Sequence, residues 1–89
     1  MSERTVVVAS SVGLHARPAS LFSQAAAKTG ISITLTSATG RSVNAASILG
    51  VLSLGIGHGE EVTLSSDAEG AETALDALVI VLSTDLDRE

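Results

Sequence analysis

Eight residues near the N-terminus combine groups that can take up a phosphoryl group: Gly13-Leu14-His15-Ala16-Arg17-Pro18-Ala19-Ser20. His15 supplies an imidazole, a nucleophile when neutral, and Arg17 supplies a guanidinium that pairs with anions. Proline suits a helix's first turn because it has no N–H to leave unpaired, and the residue before it is biased away from the α region. We therefore predict a turn at Arg17 and a helix from Pro18, whose first-turn amides attract phosphate.

The predicted chemistry at His15 is nucleophilic attack on phosphorus. An unperturbed imidazole has a pKa of about 6.5 and is mostly neutral at neutral pH. Arg17 and the positive helix terminus are expected to lower that pKa further. After transfer, the guanidinium and the backbone amides of Ala16 and Arg17 are expected to stabilise the phosphoryl anion. The group has to leave again, so we expect an exposed and shallow site.

The elements that must position these groups follow the order β-α-β-β-α-β-α. We predict strands at residues 4–9, 31–36, 41–44 and 61–65, helices at 18–28 and 46–54, and a closing helix that ends near Ser83. Residues 31–36 alternate apolar and polar side chains, which indicates a strand with one buried face. Ser66 and Glu69 resemble a capping box before the closing helix. The pattern predicts a single α+β domain, with an antiparallel sheet covered on one face by helices.

The composition argues against several kinds of site. The chain has no cysteine, which excludes disulfides and thiolate metal sites, and His15 and His58 have no recognised ligand spacing. We predict no metal and no cofactor. His58 lies in a glycine-rich loop that leads into a strand rather than a helix, so we interpret it as a surface residue and not as part of a nucleotide loop.

The charge and hydropathy of the chain narrow its partners. A net charge of −5, with one Phe and no Trp or Tyr, argues against nucleic-acid binding. That net charge is expected to steer the protein toward basic patches on partner proteins. No apolar run is long enough for a signal peptide or a membrane span, so we expect a cytoplasmic protein without membrane insertion.

Two stretches of the chain resemble the HPr family, the histidine-containing phosphocarriers of the phosphoenolpyruvate-dependent sugar phosphotransferase system. The first is Gly13–Ser20, and the second, Asn44-Ala45-Ala46-Ser47-Ile48-Leu49-Gly50-Val51, resembles the segment around the family's regulatory serine. The likeness extends over essentially the whole chain in length and element order. It implies one HPr domain over residues 1–89, an open-faced β-sandwich with a four-stranded antiparallel sheet and three helices on one face.

The resemblance implies a role for individual residues. His15 matches the phosphorylated histidine, which the family modifies at Nδ1, and Arg17 matches the arginine that pairs with the phosphoryl group. Gly13 and Pro18 match residues that shape the loop and the helix start. Ser47 matches the serine that a dedicated kinase phosphorylates in some Gram-positive bacteria.

The function implied by the resemblance is that of a phosphocarrier. It would accept a phosphoryl group from phospho-Enzyme I and pass it to Enzyme IIA proteins, as a stoichiometric shuttle with no small-molecule turnover. One alternative is a regulatory interaction module, in which a serine kinase modifies Ser47 and a transcription factor recognises the product. Another is a paralogue of the same fold that serves a different phosphotransfer chain.

The short apolar helix predicted at residues 46–54 has two interpretations. Ser47 suits the N-cap of this helix without any modification, whereas a phosphate there would place charge beside its apolar residues. Ala45 and Ala46 stand where the family often has a basic residue, which leaves recognition by a kinase open. Outward apolar residues near His15 would form a docking patch, and we predict Leu49 and Leu52, together with Ser20, as docking residues.

Overall fold

The computed structural model describes residues 2–9, 13 and 16–84, and it confirms the predicted order of elements. The strands are β1 (Ser2–Val7), β2 (Thr34–Thr36), β3 (Ser42–Asn44) and β4 (Glu61–Ser66). The helices are α1 (Ala16–Lys28), α2 (Ile48–Ser53) and α3 (Ala71–Ser83). The predicted α+β fold class is therefore correct.

The four strands form one antiparallel sheet in the order β1-β4-β2-β3. Leu64 of β4 lies opposite Leu35 of β2, and both side chains are fully buried under the helices. The neighbouring row, Thr5, Thr63, Thr36 and Ser42, carries hydroxyl groups on the other face, where Thr36 and Ser42 are 2.9 Å apart. Side chains alternate along each strand, so only one face of the sheet is apolar enough to be covered.

The three helices pack in one layer on that apolar face. Helix α3 contacts β1 and β4, helix α2 contacts β3, and helix α1 contacts both other helices. Side chains from both layers make up the core; the largest fully buried ones are Phe22, Ile33, Leu35, Ile56, Leu64, Leu75, Leu78 and Leu82. Burying each of them stabilises the fold by about 1.5–3 kcal/mol. Within the part of the chain that the structure describes, no helix combines the length and apolar character that crossing a membrane requires.

Helix α1 begins at Ala16, two residues before the predicted start at Pro18, and the chain does not turn at Arg17. Pro18 still lies in the first turn of α1. The backbone N–H groups of a helix's first turn have no intrahelical acceptor, so a proline there breaks no helical hydrogen bond. Pro18 is buried, as is Ala19 beside it. Packing of this turn onto the core therefore outweighs the local bias of the residue before a proline.

The predicted capping box at Ser66 and Glu69 is wrong. Ser66 is the last residue of β4, and its Oγ donates to the Ser32 carbonyl at 2.6 Å and accepts from the Ala68 amide at 3.1 Å. Helix α3 begins later, at Ala71, and Gly70 is its N-cap with no side-chain cap bond. The serine hydroxyl is used to join two loops at the end of the sheet rather than to cap the helix.

Two polar contacts join β1 to α3 outside the core. Ser2 Oγ donates to Glu72 Oε2 at 2.7 Å, and Arg4 Nε lies 2.8 Å from Asp76 Oδ1. The hydrogen bond from Ser2 lowers the pKa of the Glu72 carboxyl, with a further contribution from the backbone amide of Glu72. Because both contacts are exposed, they orient α3 on the strand but add little to stability.

Candidate functional site

The N-terminus of α1 directly follows His15 in the chain. His15 and Leu14 lie outside the described residues, while Ala16 and Arg17 are the first two residues of the 13-residue helix. A helix of this length presents the positive end of its dipole and its first-turn amides at this end. The Arg17 side chain is exposed. The helix that directly follows the predicted phosphoryl carrier in the chain therefore has a cation, Arg17, in its first turn.

On the other side of His15, the chain is held by a close backbone contact at Gly13. Gly13 is buried and has a φ of +71°, a conformation that favours glycine. A β-carbon at this position would collide with the Ile56 carbonyl oxygen and would lie 2.7 Å from the Gly57 Cα and 2.9 Å from its carbonyl carbon. Gly13 therefore lets two loop backbones approach each other where a larger residue could not.

The loop that receives Gly13, residues 55–59, packs against it and is held by several contacts. Ile56 is fully buried, and the Gly57 amide donates to Glu60 Oε1 at 3.3 Å. The Glu60 amide donates back to the Gly57 carbonyl at 3.2 Å, and Val8 exchanges backbone hydrogen bonds with Gly59 and Glu60. The sequence predicted a glycine-rich loop that leads into a strand here, and it predicted no contact of this loop with Gly13. The signal that this loop is anchored was the lone apolar Ile56 among its glycines.

Ser47 is the N-cap of α2, as the sequence predicted. Its backbone is extended, with φ −97° and ψ 110°, and its Oγ accepts a hydrogen bond from the Gly50 amide at 3.2 Å. Such a bond satisfies one of the amides that a helix start leaves unpaired. This capping role accounts for the serine without modification. Regulation through Ser47, by a kinase and a transcription factor, stays a prediction from the resemblance.

Helix α2 carries an exposed apolar surface, which we call the α2 patch: Ile48, Leu49 and Leu52. Their exposed fractions are 37%, 78% and 38%, whereas Val51 of the same helix is fully buried in the core. Helix α2 packs against α1, so the patch lies beside the helix that begins after His15. Ser20 of α1 is half-buried, and its Oγ accepts a hydrogen bond from Gln24 Nε2 at 3.0 Å. A docking role for these residues stays a prediction.

Charged side chains are unevenly distributed along the chain. No Asp or Glu occurs between Glu3 and Glu60, and that interval contains Arg4 and the exposed Arg17, Lys28 and Arg41. Helix α1 therefore contains two cations and no carboxylate, and α2 contains no charged residue, although the net charge of the chain is −5. The steering toward basic partners expected from net charge stays a prediction. Net charge sums over the whole chain, whereas docking depends on the charges near the contact.

Three features outside the start of α1 bear on ligand binding. A cavity of about 510 Å³ lies at the far end of β4 from the Gly13 contact, and it is lined by Ser32, Thr34, Ser65, Ser66, Asp67 and Ala68. Within the described residues, no group of three or more His, Cys, Asp or Glu side chains could hold a metal ion. His58 is exposed. The cavity lining contains a carboxylate, Asp67, and no cation that could pair with a phosphoryl group.

The chain is similar in sequence to known proteins over most of its length. Residues 2–84 match the model of the family described as "PTS HPr component phosphorylation site". The chain is 53% identical over 87 residues to phosphocarrier protein HPr of Streptomyces coelicolor, which covers 98% of this chain and 94% of that protein. It is 49% identical over 83 residues to phosphocarrier protein HPr of Haloferax volcanii, covering 92% and 93% of the two chains.

The fold is also similar to solved structures. The crystal structure of HPr-C-His from Thermoanaerobacter tengcongensis superposes with a TM-score of 0.89 at 39% identity, covering 100% of this chain and 99% of that one. The crystal structure of a phosphocarrier protein HPr from Bacillus anthracis gives a TM-score of 0.85 at 40% identity, covering 91% and 95%. Sequence and fold therefore agree over nearly the full length.

We predict that Gly13→Ala destabilises the protein more than Gly30→Ala does. Both glycines have a similar positive φ, 71° and 74°, but a β-carbon at Gly30 meets nothing within 4 Å. Gly30→Ala should therefore cost about 1 kcal/mol for the backbone conformation alone. Gly13→Ala adds a collision with the backbone of residues 56 and 57 and should cost about 1–3 kcal/mol more. Urea unfolding of both variants measures the difference; equal losses would contradict the close contact at Gly13.

Proposed function

Because the chain belongs to the HPr family of phosphotransferase-system phosphocarriers, we propose that His15 is its phosphoryl-carrying residue. The phosphoryl group comes from phospho-Enzyme I and passes to Enzyme IIA proteins. The observation that carries the proposal is the start of α1 at Ala16, with the exposed Arg17 in its first turn. This arrangement offers an anion both dipolar and ionic stabilisation directly after the histidine.

The transfer step needs a neutral imidazole nitrogen with an available electron pair. That pair forms a bond to phosphorus while the bond between phosphorus and its donor atom breaks, and the donor keeps the electrons of that bond. The positive charge of Arg17 and the amides of the first helical turn compensate the charge on the phosphoryl oxygens. In the second transfer the same nitrogen is the leaving group. A shallow site supports both directions because partner proteins must reach it.

The docking face that we propose consists of the α2 patch and the cations around it. Arg41 Nη1 contacts the Ser53 carbonyl at 3.5 Å, which puts this guanidinium at the C-terminal end of α2. Arg17 is at the start of α1, which packs against α2. An exposed apolar centre with a charged rim is typical of transient interfaces. The complementary face on Enzyme I and on Enzyme IIA proteins is expected to be apolar at its centre and acidic at its rim.

We predict that His15→Ala abolishes phosphorylation, whereas His58→Ala leaves it unchanged. The two residues are the only histidines of the chain, so the pair separates the proposed acceptor from the other imidazole. Incubation with phosphoenolpyruvate, Mg²⁺ and Enzyme I should attach an acid-labile phosphate to the wild-type chain, detected by intact mass. Undiminished labelling of His15→Ala would overturn the assignment. A wild-type chain labelled only by a different donor protein would belong to another phosphotransfer chain.

Arg17→Ala is expected to slow phosphoryl transfer by about 10- to 100-fold, the equivalent of about 1.5–3 kcal/mol for a hydrogen bond to a charged group. The fold should persist because Arg17 is exposed and alanine favours helix. Lys28→Ala, at the last residue of the same helix, is the matched control for loss of one exposed cation. Rapid-quench measurement of transfer from phospho-Enzyme I distinguishes the two variants. Equal transfer rates for the wild type, Arg17→Ala and Lys28→Ala would show that Arg17 does not contribute to transfer.

Leu49→Asp is expected to weaken docking by about tenfold or more without lowering the melting temperature. Leu49 is 78% exposed, and an acidic residue near the start of α2 suits the helix dipole. Ile80→Asp is the control, since Ile80 is 66% exposed on α3, away from the α2 patch. The readout is the carrier concentration that half-saturates transfer from phospho-Enzyme I. The docking proposal fails if the two variants behave alike.

A further inference from the structure

We infer that Glu60 is a positioning residue for the phosphoryl-transfer site, acting through the backbone of Gly57 and Gly13. The inference rests on the proposed role of His15. Glu60 lies at the other end of the loop that receives Gly13, and Gly13 is two residues before His15 in the chain. Its carboxylate is therefore linked to the segment containing the histidine by one hydrogen bond and one backbone contact.

The first link in this connection is a side-chain bond within the loop. Glu60 Oε1 accepts from the Gly57 amide at 3.3 Å, and the Glu60 amide donates to the Gly57 carbonyl at 3.2 Å. The peptide groups on both sides of Gly57 are thereby held by the same residue. A glycine in a loop has wide conformational freedom, and these two bonds restrict it.

The second link is the contact between the loop and Gly13. The Gly57 Cα and carbonyl carbon, with the Ile56 carbonyl oxygen, form the surface on which Gly13 rests, so close that it leaves no room for a β-carbon. Ile56 is fully buried and cannot shift without opening the core. The orientation of the Gly57 peptide therefore sets where Gly13 sits. Gly13, which rests on this surface, and Ala16, the first residue of α1, flank Leu14 and His15 in the sequence.

Glu60 acts through the hydrogen bond that its carboxylate oxygen accepts rather than through its negative charge. A carboxylate near a phosphoryl group would repel it, so a charge effect alone predicts faster transfer when Glu60 is neutralised. Positioning predicts slower transfer when the acceptor is removed and no change when it is kept. The two explanations therefore predict opposite changes in the transfer rate for Glu60→Ala. Glu61, the next residue, is an exposed member of β4 opposite Val7 and provides a control for charge alone.

The experiment compares Glu60→Ala, Glu60→Gln and Glu61→Ala with the wild-type chain in single-turnover transfer from phospho-Enzyme I. Glu60→Ala is expected to lower the transfer rate at saturating carrier by about three- to tenfold, with little change in the half-saturating concentration. Glu60→Gln keeps an oxygen acceptor and should restore the wild-type rate. Glu61→Ala should match the wild type. Hydrogen exchange of the Gly57 amide should accelerate in Glu60→Ala and not in Glu60→Gln.

The outcomes separate this inference from the proposed function. If the wild-type chain is not phosphorylated at His15, the proposed function fails before Glu60 is tested. If the wild type is phosphorylated and Glu60→Ala transfers as fast or faster, the positioning role is overturned. Equal slowing in Glu60→Ala and Glu60→Gln would show that the retained acceptor does not matter, and equal slowing in Glu60→Ala and Glu61→Ala would show that the effect is not specific to Glu60; either result would also overturn it. Unchanged exchange of the Gly57 amide in Glu60→Ala would show that the bond does not hold the loop.

Discussion

Apolar side chains from all four strands project onto one face of the sheet, and the three helices have to share that single surface. Phe22 from α1, Val51 from α2 and Leu75 from α3 are all fully buried in the core that results. Helix α1 contacts both of the others, so the helix that follows His15 in the chain packs directly against the helix that carries the α2 patch. This arrangement is a consequence of one-sided burial, because the three helices share a single apolar surface.

A close approach of two backbones fixes Gly13, two residues before the proposed acceptor in the chain. Gly13 rests on the peptide groups of residues 56 and 57, and that loop is tied in turn to Val8 and to the buried side chain of Ile56. This contact is combined with an exposed Arg17 in the first turn of α1. A phosphocarrier needs this combination, since the transferring nitrogen must keep a defined position and still be reachable by two different proteins. Deep burial would satisfy the first requirement and defeat the second.

Acidic and basic residues are also unevenly distributed over the molecule. Carboxylates are confined to residue 3 and to residues 60–89, while α1 carries only cations and α2 carries no charge. An acidic chain whose proposed docking face on α1 and α2 contains no acid can remain strongly charged, and so resist aggregation, without repelling an acidic partner surface. We therefore expect the location of the acids to matter more for recognition than the total of −5.

The sequence by itself determined the order of elements, the one-sided sheet, the Ser47 cap and the placing of His15 beside a helix start, because alternation, capping and proline preferences act over a few residues. The tertiary structure decided the start of α1 at Ala16, where burial of Pro18 outweighed a local bias. It also redirected the Ser66 hydroxyl to the Ser32 carbonyl and brought Gly13 against Gly57. The last two contacts join residues more than 30 positions apart, and they form only once the core has packed.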